Sequence, residues 1–201
     1  MSSTAEADWA EYYRKVQGRS ARELVLEAAA LAEKPGSALD LGCGDGAETL
    51  YLLERGWSVT AVDLEPAAID LTRQRAGESA ELNAYVADLA KYSPEPADLI
   101  LASVSLPFIP EEAFNRLWPQ LVAALNPHGI LAVHLFGDRD SWARGEAAVA
   151  GMTFHSRAEV EQLLTGLDVL DLQEHEFDGP SGRGPKHWHR YDIIARRPAA
   201  N

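Results

Sequence analysis

Four residues able to hold a polar ligand stand at the ends of four apolar runs. Asp40 closes "SALD", Asp63 closes "SVTAVD", Asp88 closes "NAYVAD" and Ser103 closes "ADLILAS". Between Asp40 and the next helical pattern lies "LGCGDG", with Gly42, Gly44 and Gly46 at alternate positions. Glycine there lets the chain turn sharply and brings backbone amides close to a ligand. A carboxylate ending a second strand can accept hydrogen bonds from both hydroxyls of a ribose. One ending a third can accept from an adenine amino group. Each aspartate can equally cap a turn. Gly42, Gly44 and Ala47 also satisfy the loose G-x-G-x-x-G/A pattern of dinucleotide sites, and a tight turn with no ligand uses the same glycines. What distinguishes the set is its recurrence at successive strand ends.

The elements that must position these residues follow from periodicity. Residues 6–34 read as helices, broken by "EKPGS". Strands are expected over 37–41, 57–63, 82–88, 97–103 and "GILAVHLF" at 129–136, the last apolar enough to be buried on both faces. Helices are expected over 46–55, from Pro66 onward, over 111–125, and from the capping box "SRAE" at 156–159 to about residue 165. "DVLDLQEHEF" and "HWHRYDIIAR" read as two late strands around "DGPSGRGP", with no helix between them, hence a hairpin. Strands alternating with helices imply a doubly wound α/β fold: a seven-stranded, mostly parallel sheet with a C-terminal antiparallel hairpin. Ligands of such sheets sit beyond the carboxyl ends of the strands.

The totals bound the function. The chain has 201 residues, 46% hydrophobic and 24% charged, which suits one domain with a sizeable core. We divide it into an N-terminal helical cover over 1–35 and a core over 36–201. No apolar run is long enough for a membrane span, and the N-terminus lacks the pattern of a secretory signal. One cysteine, Cys43, excludes a disulfide within the chain and fits a reducing cytoplasm. The net charge of −13 opposes binding to a phosphate backbone. A small molecule is therefore the expected partner, with no nucleic acid, no membrane and no metal, and a monomer or homodimer as the working form.

"ALDLGCGDG", "VTAVDLE", "YVADLA" and "DLILASVSLPFI" together resemble the successive motifs of class I S-adenosylmethionine-dependent methyltransferases. The compact length and "PKHWHRYDIIARR" are similar to the tellurite-resistance and thiopurine-type members. The resemblance implies a Rossmann-like core with S-adenosyl-L-methionine as cofactor and S-adenosyl-L-homocysteine as product. It implies that Gly42, Cys43, Gly44 and Gly46 lie under the methionine part, which Asp40 helps to fix. Asp63 then takes the ribose hydroxyls, with Leu64 against adenine. Asp88 and Leu89 hold the adenine edge, and Ser103 and Val104 line the pocket beside the sulfonium. "ASVSLPF" departs from the Asn-Pro-Pro-Tyr-like motif of members that methylate nitrogen in DNA or protein.

The acceptor side is less defined. His187 and His189, two apart on a late strand, share a face and are the candidate catalytic groups. They can equally be hydrogen-bonded strand residues beside Trp188. The N-terminal segment carries Tyr12, Tyr13 and Arg19, suited to a cover over the cofactor or to plain helix packing. Tyr13 is assigned to the cofactor, Tyr12 and Arg19 to the substrate. The long connection after the fifth strand carries Trp142 and Phe154, which with Leu106 would line an apolar acceptor pocket. Arg183 and Lys186 would draw an anion to the rim, or simply face solvent in a turn. The expected reaction is methyl transfer to a small molecule. A soft sulfur, selenium or tellurium nucleophile needs no base, whereas a hydroxyl or amine needs one. The alternatives are a non-catalytic S-adenosylmethionine-binding protein and a nicotinamide-dependent oxidoreductase.

Overall fold

A computed structural model describes residues 18–181 and 184–199. Chain order is α1 (Glu23–Leu31), β1 (Ser37–Leu41), α2 (Ala47–Leu53), β2 (Ser58–Asp63), α3 (Pro66–Ala76), β3 (Leu82–Val86), β4 (Ala97–Ala102), α4 (Glu111–Ala124), β5 (Leu125–Phe136), α5 (Arg157–Leu163), β6 (Asp168–Ser181) and β7 (Gly184–Arg196). Short 3-10 turns at Leu89–Lys91, Leu106–Phe108 and Gly145–Ala147 link them.

The seven strands form one sheet in the order β3-β2-β1-β4-β5-β7-β6. β1 to β5 run parallel, and β7 pairs antiparallel with both β5 and β6. The order reverses between β1 and β4, which opens a crevice beyond their carboxyl ends. This is the Rossmann-like sheet expected from the alternating pattern. β5 begins earlier than expected, because Leu125 already pairs with Ala97 before a register shift. The late hairpin reaches further than its apolar pattern suggests, with β6 and β7 paired as far as Ser181 and Gly184.

Two apolar layers enclose the sheet. Alternate strand residues such as Ala38, Ala61, Leu99, Ala132 and Ile194 face α1, α2 and α3, through Leu24, Val25, Leu52 and Ile69. Their neighbours Leu39, Ile100, Leu131 and Ile193 face α4 and α5, through Phe114, Leu117, Leu121 and Val160. α5 starts with the expected capping box: Ser156 accepts from the Glu159 amide, and Glu159 accepts from the Ser156 amide at 2.7 Å. Strand alternation then settles which polar residues share a face. Asp40, Asp63, Ser103, His134 and Asp192 each lie two residues from a member of the α1–α3 layer.

Candidate active site

The glycine loop is held from two sides. Gly42 and Cys43 donate their amides to the Val62 carbonyl at 2.8 and 3.0 Å, tying the loop to β2. Gly42, Gly44 and Gly46 all have positive φ, 81°, 54° and 76°. At Gly42 a Cβ would also stand 2.4 Å from the Ser105 Cβ, so the loop is pinched against the segment after β4. In that segment Val104 has φ 58°, a strained conformation for a β-branched residue.

The strand-end acids differ in environment. The Asp63 Oδ2 accepts the Gly44 amide and its Oδ1 accepts the Glu65 amide, each at 2.9 Å. One buried carboxylate thus braces the glycine loop and the entrance to α3. Asp40 is buried and accepts the Thr49 hydroxyl at 2.6 Å. Burial, and then the negative charge of Glu48, push its carboxyl up to about 7. Asp88 caps the turn at Leu89–Lys91 by accepting the Ala90 amide at 2.9 Å, and pairs with Lys91 at 3.0 Å. Lys91 and the Ala90 amide hold its carboxyl below the usual range. Leu64 projects from the end of β2 and is 59% exposed, whereas Leu89 is buried.

Two further acids at the loop were not singled out in the sequence. Asp45 and Glu48 are both buried. Arg19 reaches Glu48 with two bonds, at 2.7 and 2.5 Å, and Asp45 at 3.0 Å. Arg22 pairs with Glu48 at 3.0 Å and donates to the Ser103 hydroxyl at 3.3 Å. Burial alone would raise Glu48, but the bonds and charge of Arg19 and Arg22 carry it below its usual value. Arg19, expected on the acceptor side, therefore stands among the acids of the glycine loop. Cys43 is a buried filler against Thr72, its thiol kept protonated by burial.

The acceptor-side candidates are rearranged. His189 is fully buried, its Nδ1 accepting the Arg139 amide at 3.1 Å and its Nε2 facing Glu174 at 3.0 Å. Both nitrogens are occupied, so the ring ties β7 to β6 and to the loop after β5. It also requires Gly137, where a Cβ would fall 1.9 Å from Nδ1. His187 lies on the outer hairpin between Asp178 at 2.8 Å and Glu176 at 3.0 Å, which hold it above the usual histidine value. Two-residue spacing did put both rings on one face, but neither presents an unengaged nitrogen. Lys186 does not reach the rim. Its ammonium is buried 2.8 Å from Asp140, over Trp142 at 3.6 Å and Trp188 at 3.8 Å. Trp142 and Phe154 thus belong to an aromatic cluster around Phe136. Leu106 is fully buried in the α4–α5 layer. Tyr12, Tyr13 and Arg183 lie outside the described residues.

Residues 38–129 match the profile of a family described as "Methyltransferase domain". That match covers just under half of the chain. The chain is similar to trans-aconitate 2-methyltransferase of Escherichia coli, 38% identical over 107 residues, which are 51% of this chain and 39% of that protein. The chain thus spans about two-fifths of the length of the curated relatives it matches. Its fold is that of TehB from Haemophilus influenzae, with a TM-score of 0.74 at 20% identity over 94% of this chain and 67% of that one. It is also that of the 1,6-didemethyltoxoflavin-N1-methyltransferase of Burkholderia thailandensis, solved with S-adenosylhomocysteine, with a TM-score of 0.68 at 24% identity over 98% and 93% of the two chains. Around the glycine loop the structure brings together bare backbone and the buried acids Asp40, Asp45, Glu48 and Asp63, with Arg19, Arg22 and Arg75 paired to Asp45 and Glu48.

Proposed function

We propose that this chain transfers a methyl group from S-adenosylmethionine to a small-molecule acceptor. The observation that carries the reading is the Asp63 carboxylate, fixed by the Gly44 and Glu65 amides on the same sheet face as Asp40 and Ser103. When bound, S-adenosylmethionine supplies an electrophilic methyl on a cationic sulfur. Asp63 takes the two ribose hydroxyls, and exposed Leu64 offers an apolar surface to the base. Asp40 faces the ammonium of the methionine part across the glycine loop. Ser103 and the strained Val104 flank the sulfur and set the line of approach. Most of the acceleration comes from that alignment, for which effective molarities of ~10⁵–10⁸ M are known.

Calorimetry tests the reading. S-Adenosylhomocysteine should bind in the micromolar range and NADH should not. NADH binding with no S-adenosylhomocysteine binding would return the glycine loop to its dinucleotide interpretation. Acceptor assays then separate the enzyme from a silent binder, and trans-aconitate, named for the relative, belongs in the first panel with thiols and chalcogen oxyanions. The likeness of the late motif to tellurite-resistance and thiopurine-type enzymes is what brings thiols and chalcogen oxyanions into that panel.

A further inference from the structure

A cleft of about 570 Å³ opens on the α1 face of the sheet, beside β5, β7 and β6. Arg22, Glu23, His134, Gln173, Asp192 and Arg190 are among its lining residues. Arg22 joins it to the strand end where methyl transfer is placed, through its 3.3 Å bond to the Ser103 hydroxyl.

His134 is the unusual residue in this wall. It interrupts the apolar run of β5 and is 98% buried, being 2% exposed. Register places it: Val133 pairs with Ala102, so His134 is one step on, level with Ser103 on the neighbouring strand. Adjacent strands lie ~4.8 Å apart. On its other side His134 pairs with Asp192, and Asp192 with Gln173. The His134 Nε2 stands 3.6 Å from the Asp192 Oδ1. Its Nδ1 is buried and has no hydrogen-bond partner. The two ring nitrogens point apart, so the edge turned from Asp192 carries this Nδ1.

We propose that His134 and Asp192 form a base dyad for the acceptor, and that the cleft seats a small molecule whose nucleophilic atom carries a proton: a phenol, an alcohol or an amine. The proposal rests on the methyl-transfer reading. As the acceptor oxygen or nitrogen bonds to the methyl carbon, the carbon–sulfur bond breaks and its electron pair stays on sulfur, leaving neutral S-adenosylhomocysteine. The acceptor's proton passes to the His134 Nδ1. The resulting imidazolium keeps its Nε2–H toward the Asp192 carboxylate, then yields the proton to solvent.

The surroundings keep the ring neutral and its Asp192 partner fixed. Asp192 is held by Arg190 through two bonds, at 2.6 and 2.9 Å, and by His175 at 3.3 Å, so its orientation is set. Arg22 before α1 and Arg190 on β7 oppose a second positive charge at His134, while Asp192 and Glu48 favour one. Glu23 and Glu27 of α1 and Asp171 of β6 complete the charged groups of the cleft. Burial outweighs the attraction of Asp192 and brings the empty-site imidazole down to about 3, so it is neutral at physiological pH and takes a proton only as methyl transfer makes the acceptor's own proton strongly acidic.

The test uses the full chain with S-adenosylmethionine and two acceptor sets. One is protic: catechol, 4-nitrophenol, tyramine and histamine. The other is already ionised: trans-aconitate and sodium sulfide. His134→Gln and Asp192→Asn are compared with wild type for turnover and, separately, for S-adenosylhomocysteine affinity by calorimetry. The proposal expects transfer to at least one protic acceptor, reduced about 10²–10⁴-fold in His134→Gln. S-Adenosylhomocysteine affinity should stay within threefold of wild type, which also reports that the variant folds. Added imidazole should restore part of the rate in His134→Gly. Asp192→Asn should lower kcat more than it raises KM, and should shift the pH–rate profile. Undiminished protic transfer in His134→Gln overturns the dyad, and so does transfer only to the ionised set or to neither set. Failure of the wild type to bind S-adenosylhomocysteine would instead overturn the underlying reading, and the dyad with it.

Discussion

The Gly44 amide donates to the Asp63 Oδ2 at 2.9 Å, so the end of β2 reaches across to hold the glycine loop that follows β1. The residue expected to grip the sugar is also the strut that shapes the loop beneath it. Asp63 accepts the Glu65 amide with its other oxygen.

Asp63 variants should therefore lose cofactor affinity beyond the loss of the sugar contacts alone. Asp63→Ala is expected to weaken S-adenosylhomocysteine by about 1–3 kcal/mol per charged hydrogen bond lost. Asp63→Asn should fall between, because its amide nitrogen would meet an N–H donor. Calorimetry on folded variants measures this. Equal affinity in wild type and Asp63→Ala would remove Asp63 from the site.

Asp40 predicts a pH dependence with a definite sign. Its native carboxyl is raised to about 7 from 3.8, so between those values the folded chain holds a proton that the unfolded chain has released. Stability contributed by that proton is present at low pH and declines as pH rises, and the cost is complete above about 7. A bound ammonium favours the ionised form. S-Adenosylhomocysteine should bind up to about tenfold more tightly per pH unit below 7, releasing a proton, and level off above it. Calorimetry in buffers of different ionisation heat reads that release. Asp40→Asn should abolish it.

Gly42 is a tightly confined loop position. Its φ of 81° and the 2.4 Å approach of Ser105 both exclude a Cβ. Gly42→Ala should cost about 1–3 kcal/mol of stability and most of the cofactor affinity. Gly56→Ala is the comparison: it shares a positive φ, 83°, but has open space around it, so it should lose stability without losing affinity. Chemical denaturation paired with calorimetry separates the two.

The late histidines should divide by burial. His189→Ala removes a buried ring that satisfies Arg139 and Glu174, and should destabilise the fold by about 2–4 kcal/mol. His187→Gln, on the exposed hairpin, should change stability by less than about 1 kcal/mol and leave cofactor affinity intact. A large loss of affinity in His187→Gln would restore it to the site.

The strand ends were legible because local patterns encode them. Alternating or continuous apolar residues stop at Asp40, Asp63 and Ser103, and the same alternation decides their face. His134 and Asp192 were not legible together. His134 sits inside "GILAVHLF" as one polar residue in a buried strand, and its partner comes from a distant antiparallel strand whose register no local pattern specifies. No local pattern marks Asp45 and Glu48 as buried. Their burial depends on Arg19 and Arg22, which fold back from before α1. His187 and His189 show the converse. Their spacing fixed a shared face, but only the loop after β5 decides that one ring is enclosed and the other exposed.

A crystal structure with S-adenosylhomocysteine tests the central claim most directly. The account predicts both ribose hydroxyls within hydrogen-bond distance of the Asp63 carboxylate, and the sulfur beside Ser103 above the Gly42–Gly46 backbone. A nucleoside bound elsewhere, with no ribose hydroxyl within hydrogen-bond distance of Asp63, would contradict it.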